Sequence, residues 1–249
     1  MVSGKRVCAV SRVAIIAAMA GELKPLVRGW VHERRDRVDL WRWKFDEGEW
    51  VAACAGAGVD AATRAFAAVE KDGAPDMVIS VGWAGALTEE LKAGRVYGVS
   101  GVIDLRTGER FRPAVWNDER WLVTSPIVAD EAEKQRLAAA YSAHLVDMEA
   151  SAIARLAAMR GIPFYCIKGV SDGFHDKLPD FNRFIRPDGR FDMAAMVLFS
   201  ILRPWYWPSL ARMGENSRKA SQSIREAVLD FLDERAYIRE RNGYPNLKH

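Results

Sequence analysis

Four carboxylates in this chain stand out by where they fall. Asp147 and Glu149 flank Met148 just ahead of a helix-like run. Asp172 follows Ser171 at the end of an apolar run, and Glu22 closes Ala20-Gly21-Glu22 after another. Acids at the start of a helix and at the end of a strand share one location in an open α/β sheet: the carboxyl edge of the strands, where ligands bind. Order and residue type alone therefore place a candidate site there.

The elements that must position these acids are legible around them. After Glu149, apolar residues at Ile153, Leu156, Ala157 and Met159 mark a helix, which Gly161 and Pro163 terminate. Phe164 to Val170 is short, aromatic and β-branched, and reads as a buried strand ending on Ser171-Asp172-Gly173. Val13 to Met19 is a continuous apolar run, the pattern of a parallel strand covered on both faces. Each acid has a plainer reading as well. Glu22 can be an exposed acid in a first helical turn, where the helix dipole favours negative charge. Asp172 can be a turn or cap acid.

Trp41 to Phe45 and Glu49 to Ala55 predict paired strands around Asp46-Glu47-Gly48, and Asp60 predicts the cap of a helix running to about Lys71. Between them Gly56-x-Gly58-x-x-Ala61 has the form of a dinucleotide fingerprint, although it does not follow the first strand and also suits a tight turn. Met77 to Val81 reads as a buried strand closed by Gly82-Trp83-Ala84-Gly85, small residues that let a backbone approach a ligand. Val96 to Leu105 and Trp121 to Thr124 are strand-like, with a hairpin turn at Thr107-Gly108-Glu109. Glu131 to Tyr141 is helical in composition. Phe191 to Leu202 predicts an apolar helix, Arg203 to Pro208 a break, and Ser221 to Ala236 a final amphipathic helix.

The 249 residues suffice for one large α/β domain, expected over 1–249, with 203–249 as an aromatic and basic extension packed on it. A net charge of +3, with basic and acidic residues interspersed, argues against a nucleic-acid partner. The three cysteines (Cys8, Cys54, Cys166) sit in strand-like runs, as reduced buried thiols do. The four histidines are too scattered to hold a metal, and no cofactor is expected. Lys5-Arg6 before an apolar stretch faintly resembles a signal peptide, but Arg12 interrupts it, so the cytoplasm is the expected compartment.

Taken together, IIAAMAGEL, VGWAGAL, LVDMEASAIA and VSDG resemble the nucleoside phosphorylase and nucleosidase superfamily, nearest to its methylthioadenosine/S-adenosylhomocysteine nucleosidases and its hopanoid-associated branch. The resemblance spans roughly Val13 to Phe184, and its specific part is Asp147-Met148-Glu149 followed at the right interval by Ser171-Asp172. It implies a three-layer α/β/α domain with a mixed, partly barrel-like sheet, a homodimer, and cleavage of the N-glycosidic bond of an adenosine-type nucleoside. By the same resemblance Asp172 would hold or deliver a proton at purine N7 and Glu22 would activate water. Glu149 with Met148 would hold the ribose, and Met19, Trp83, Gly85, Lys168 and Ser171 would complete the substrate site. The acids would then need different pKa values, through burial of Asp172.

Phosphorylases of this superfamily carry an Arg three residues before a Ser in the glycine loop. Here those positions hold Ser80 and Trp83, which favours hydrolysis and leaves phosphorolysis as the runner-up. Lys168 stands where the nucleosidases have Arg, keeping the charge without the planar fork. Trp83 and the segment bearing Met193, Met196, Leu198, Phe199, Ile201, Leu202, Trp205, Tyr206 and Trp207 suggest a large apolar 5′ substituent, such as that of an adenosyl-hopane. With Arg203 and Arg212 alongside, that segment has the composition of a peripheral membrane contact. The alternative is a buried helix whose tryptophans pack at a dimer interface. Two readings of another class also stand: a dinucleotide-binding protein using Gly56 to Ala61, and a non-catalytic scaffold.

Overall fold

The computed structural model describes residues 12–45, 48–114, 119–186, 188–201 and 203–241. Cys8, Lys5-Arg6, Asp46-Glu47, Leu202 and His249 lie outside them.

β1 (Arg12–Ala17) is the first expected strand, and its burial explains its continuous apolar sequence. Ala14 and Ile16 point into one core, while Val13, Ile15 and Ala17 point into another. Successive side chains of a strand face opposite sides, so an unbroken apolar run requires cover on both. On one side that cover is α2 (Val59–Glu70) and α4 (Ala150–Arg160), through Ala61, Ala65, Phe66 and Ile153. On the other it is α1 (Ala20–Leu23) and the long C-terminal α6 (Trp207–Arg241), through Leu23, Ile224, Val228 and Leu232. The protein is thus a three-layer α/β/α structure, as expected.

The sheet is mixed. β2 (Val31–Arg35), β3 (Val38–Phe45) and β4 (Gly48–Cys54) form an antiparallel meander that joins β1, which pairs in parallel with β5 (Met77–Ala86). The order then continues through β10 (Leu145–Asp147), β9 (Trp121–Thr124), β7 (Gly101–Asp104) and β8 (Arg110–Phe111). β11 (Phe164–Asp172) pairs in parallel along β5 and in antiparallel with β6 (Val96–Gly98). β5 therefore has three partners, β1 on its first half, β10 on its last residues and β11 along most of its length. That branching curls the sheet partway towards a barrel. A third apolar cluster lies under α3 (Glu131–Tyr141), around Ile103, Val123 and Leu137.

Four expectations need correction. Gly82 to Gly85 is not a turn after the strand: β5 runs through it to Ala86, because β11 continues to pair with each of these residues. The cap of α2 is Gly58, with Asp60 inside the first turn. Val96 to Leu105 is two strands, β6 and β7. The C-terminal helix starts at Trp207 rather than near Ser221. Pro208 falls in its first turn, where a missing amide costs no hydrogen bond, so it starts the helix that a mid-helix proline would break. α5 (Met193–Ile201) and a short 3₁₀ turn at Pro204–Tyr206 precede it.

Candidate active site

Glu22, read from sequence as either a site acid or a surface acid, is 2% exposed. Both carboxylate oxygens are fixed by backbone amides: Met19 N–H donates to Oε2 and Trp83 N–H to Oε1, each at 2.7 Å. The approach depends on Gly82, where φ is +140° and an added Cβ would lie 2.8 Å from Glu22 Oε1. Burial raises the pKa of Glu22, and the two amides and Lys168 only partly counter it.

Asp147 and Glu149 divide their work. Asp147 ties α4 to the sheet: it accepts from Thr124 Oγ1 at 2.8 Å and from Ala150 N–H at 2.9 Å, and pairs with Lys168 Nζ at 2.8 Å. Glu149, the residue before α4, turns into the cavity and accepts from Gly58 N–H at 2.7 Å. Burial, reinforced by Asp147, pushes the Glu149 carboxyl up to about 8. Burial alone would lower the pKa of Lys168; Asp147, Cys166 and Glu149 override it and raise it.

Asp172 ends β11 opposite Gly85 of β5, just past a register shift after Val170. Such a bulge re-aims side chains that would otherwise alternate. Here the consecutive Ser171 and Asp172 both line the same cavity. Ser171 Oγ donates to Asp172 Oδ1 at 2.5 Å, and Lys134 Nζ pairs with Oδ2 while donating to the Gly173 carbonyl at 2.6 Å. An added Cβ at Gly85 would lie 3.0 Å from Asp172 Oδ2 and 3.2 Å from Lys134 Cε, so this glycine makes room for the pair.

These groups surround one cavity of about 950 Å³. Met19, Glu22, Trp83, Gly85, Met148, Glu149, Ser171 and Asp172 all line it. Lys168 does not: on β11 it is 1% exposed, its side chain paired with Asp147 and donating to Ser80 Oγ at 3.2 Å. The acids converge, though not on one uniform parallel edge. β10 runs antiparallel to β5, and it delivers Glu149 because it pairs only with Gly85 and Ala86 at the far end of that strand.

Several contributors escaped sequence reading. Lys134 is buried with Leu137 on the inner face of α3, and that three-residue spacing was the available signal. α6 closes the cavity, with Leu210, Met213 and Ser217 in its wall. Trp83 Nε1 is tied to that helix through Ser217 O and Ser221 Oγ, at 3.1 and 3.0 Å. The amides of the Gly56-Ala57-Gly58 turn are engaged within the protein: Ala57 N–H donates to Gly189 O and Gly58 N–H to Glu149. Cys54 and Cys166 are buried free thiols pushed up to about 12 by burial. Among the described residues no His, Cys, Asp or Glu cluster could hold a metal ion.

The fold recurs in solved structures of low sequence identity. Futalosine hydrolase of Helicobacter pylori superposes with a TM-score of 0.67 at 14% identity, covering 90% of this chain and 98% of that one. The 5′-methylthioadenosine nucleosidase of Arabidopsis thaliana gives 0.68 at 18%, covering 90% and 95%. S-adenosylhomocysteine nucleosidase of Streptococcus pyogenes, solved with 5-methylthiotubericidin, gives 0.61 at 20%, covering 80% and 98%. No curated protein matches the sequence. The phosphorylase superfamily model matches residues 12–132 and 119–203, so the site elements from β1 to α5 all fall within it, and the chain belongs to the phosphorylase superfamily.

Proposed function

We propose that the protein cleaves the N-glycosidic bond of an adenosine-type nucleoside by hydrolysis, releasing the purine. One observation carries this reading: three buried carboxylates face a single cavity, Glu22 and Glu149 held by backbone amides and Asp172 by a hydroxyl and a lysine. Breaking the bond builds positive charge on the ribose and sends electrons into the base. Asp172, held between Ser171 and Lys134, is the group to hold or deliver a proton at N7 as the purine leaves. Glu149 meets the ribose hydroxyls beside Met148. Glu22, locked by two amides and with raised proton affinity, orients water and accepts its proton.

Two features support hydrolysis over phosphorolysis. Ser80, at the position where phosphorylases carry Arg, is fully buried and bonded to Lys168, and the indole of Trp83 lines the cavity at the position of their Ser. A carboxylate at Glu22 also suits water and repels phosphate. The names of the methylthioadenosine and S-adenosylhomocysteine nucleosidases sharing this fold support the adenosine-type substrate. The cavity is near the top of the roughly 300–1,000 Å³ range of small-molecule sites. Much of its wall is apolar, with Phe191, Met196, Leu210 and Met213 on one side, while Lys24, Arg34, Arg37, Arg190 and Arg218 also line it. That supports a large apolar 5′ substituent, such as the polycyclic lipid of an adenosyl-hopane.

The test is incubation with purine nucleosides of graded 5′ hydrophobicity, with and without phosphate, followed by chromatography of base and sugar. Free base and the correspondingly 5′-substituted ribose, independent of phosphate, are expected, with turnover rising as the 5′ group becomes more apolar. Ribose 1-phosphate would overturn the hydrolytic reading. Efficient turnover confined to small 5′ groups would overturn the apolar one.

A further inference from the structure

We propose that the outer face of α5 and the turn that follows it form a docking surface for an anionic lipid bilayer, a role beyond the bond-cleavage reading and independent of it. α5 is two-sided. Its inner face puts Phe199 against Phe184 with ring centroids 5.3 Å apart, and Tyr206 stacks on Phe199 at 6.1 Å. Its outer face carries Val197, Leu198 and Ile201 at helical spacing, 46%, 63% and 59% exposed. The chain continues into Trp205 at 67% and Trp207 at 54%. Large apolar side chains exposed singly are ordinary, but a contiguous group marks an interaction site.

Charge, composition and position select a bilayer as the occupant. No acidic residue occurs from Met193 to Met213, while Arg203 and Arg212 lie within that stretch. The half-buried Arg203 guanidinium sits 4.0 Å from the centroid of Phe199, the ring that α5 turns inward, while Arg212 on α6 is exposed and can meet lipid phosphate. Tryptophan and tyrosine beside arginine is the composition of a segment lying in the membrane interface. The segment cannot span: no helix among the described residues is long and apolar enough to cross a membrane. The same segment walls the cavity from the other side through Phe191, Met196, Leu210 and Met213. Docking would therefore set the apolar wall of the cavity against the source of a lipidic ligand.

The experiment is sedimentation of the full chain with phosphatidylcholine vesicles, with and without phosphatidylglycerol, across a salt series. The wild type should bind the anionic vesicles, less tightly as salt rises, because screening weakens the arginine contribution. Leu198→Ala combined with Ile201→Ala and Trp205→Ala should weaken binding by at least about tenfold, given the apolar area lost. These positions do not line the cavity, so the melting temperature should stay within a few degrees of the wild type and confirm folding. No sedimentation of the wild type at millimolar lipid would overturn the proposal, as would equal binding by the triple variant. A dimer that the triple variant dissociates, without lipid affinity, would assign the face to a second copy instead. None of these readouts requires nucleoside cleavage, so failure of the catalytic reading would be seen separately.

Discussion

Replacing Lys134 by methionine removes one half of a buried pair and keeps most of the side-chain volume. The Lys134 and Asp172 side chains are 1% and 8% exposed, so the carboxylate left behind cannot recover its hydration. Breaking such a pair costs about 3–5 kcal/mol. At about 2–4 °C per kcal/mol for a chain of this length, Lys134→Met should lower Tm by roughly 6–20 °C at pH 8. Adding Asp172→Asn neutralises the partner and should recover part of the loss. A residue of about 1–3 kcal/mol should remain, because Lys134 also donates to the Gly173 carbonyl, which the double variant leaves unmet. Thermal and urea unfolding of the wild type, both single variants and the double variant measure these terms. A double variant no more stable than Lys134→Met would refute the charge argument and leave packing or the carbonyl bond as the role of the lysine.

Asp172→Asn keeps the shape but not the transferable proton, and should lower kcat by roughly 10²-fold or more. Glu22→Gln should lower kcat with KM little changed, and near-normal turnover in both variants would sink the proposed mechanism. Glu149, with its pKa raised to about 8 in the fold, binds a proton more tightly than in the unfolded chain, so its stability contribution is full below about pH 4.5 and is lost as pH rises through 8. Glu149→Gln should accordingly match the wild type at pH 4 and exceed it by a few kcal/mol at most above pH 8; an equal gain at both pH values would contradict the burial argument. Gly85→Ala pushes a methyl group into the Asp172–Lys134 pair, and should cost about 1–3 kcal/mol and depress kcat, measured by unfolding and turnover. Unchanged turnover would show that the pair shifts freely.

The sequence by itself determined the elements whose apolar periodicity is local. β9, α3 and α4 lie where composition put them, and β1 and β11 do so to within a few residues. It also singled out Glu22, Glu149 and Asp172, which line one cavity, because each follows an apolar strand, and that placement is a property of order along the chain. What it could not contain was pairing. Gly82 to Gly85 is strand because β11 lies beside it, and no local propensity of a glycine-rich stretch records a partner more than eighty residues away. The same holds for Lys134 against Asp172, for the Gly58 amide against Glu149, and for α6 over Trp83. Asp147 and Glu149 look alike as neighbours in sequence. Only the tertiary structure gave one to Lys168 and the frame, and turned the other into the cavity, because a buried carboxylate takes its role from the charges and amides that surround it.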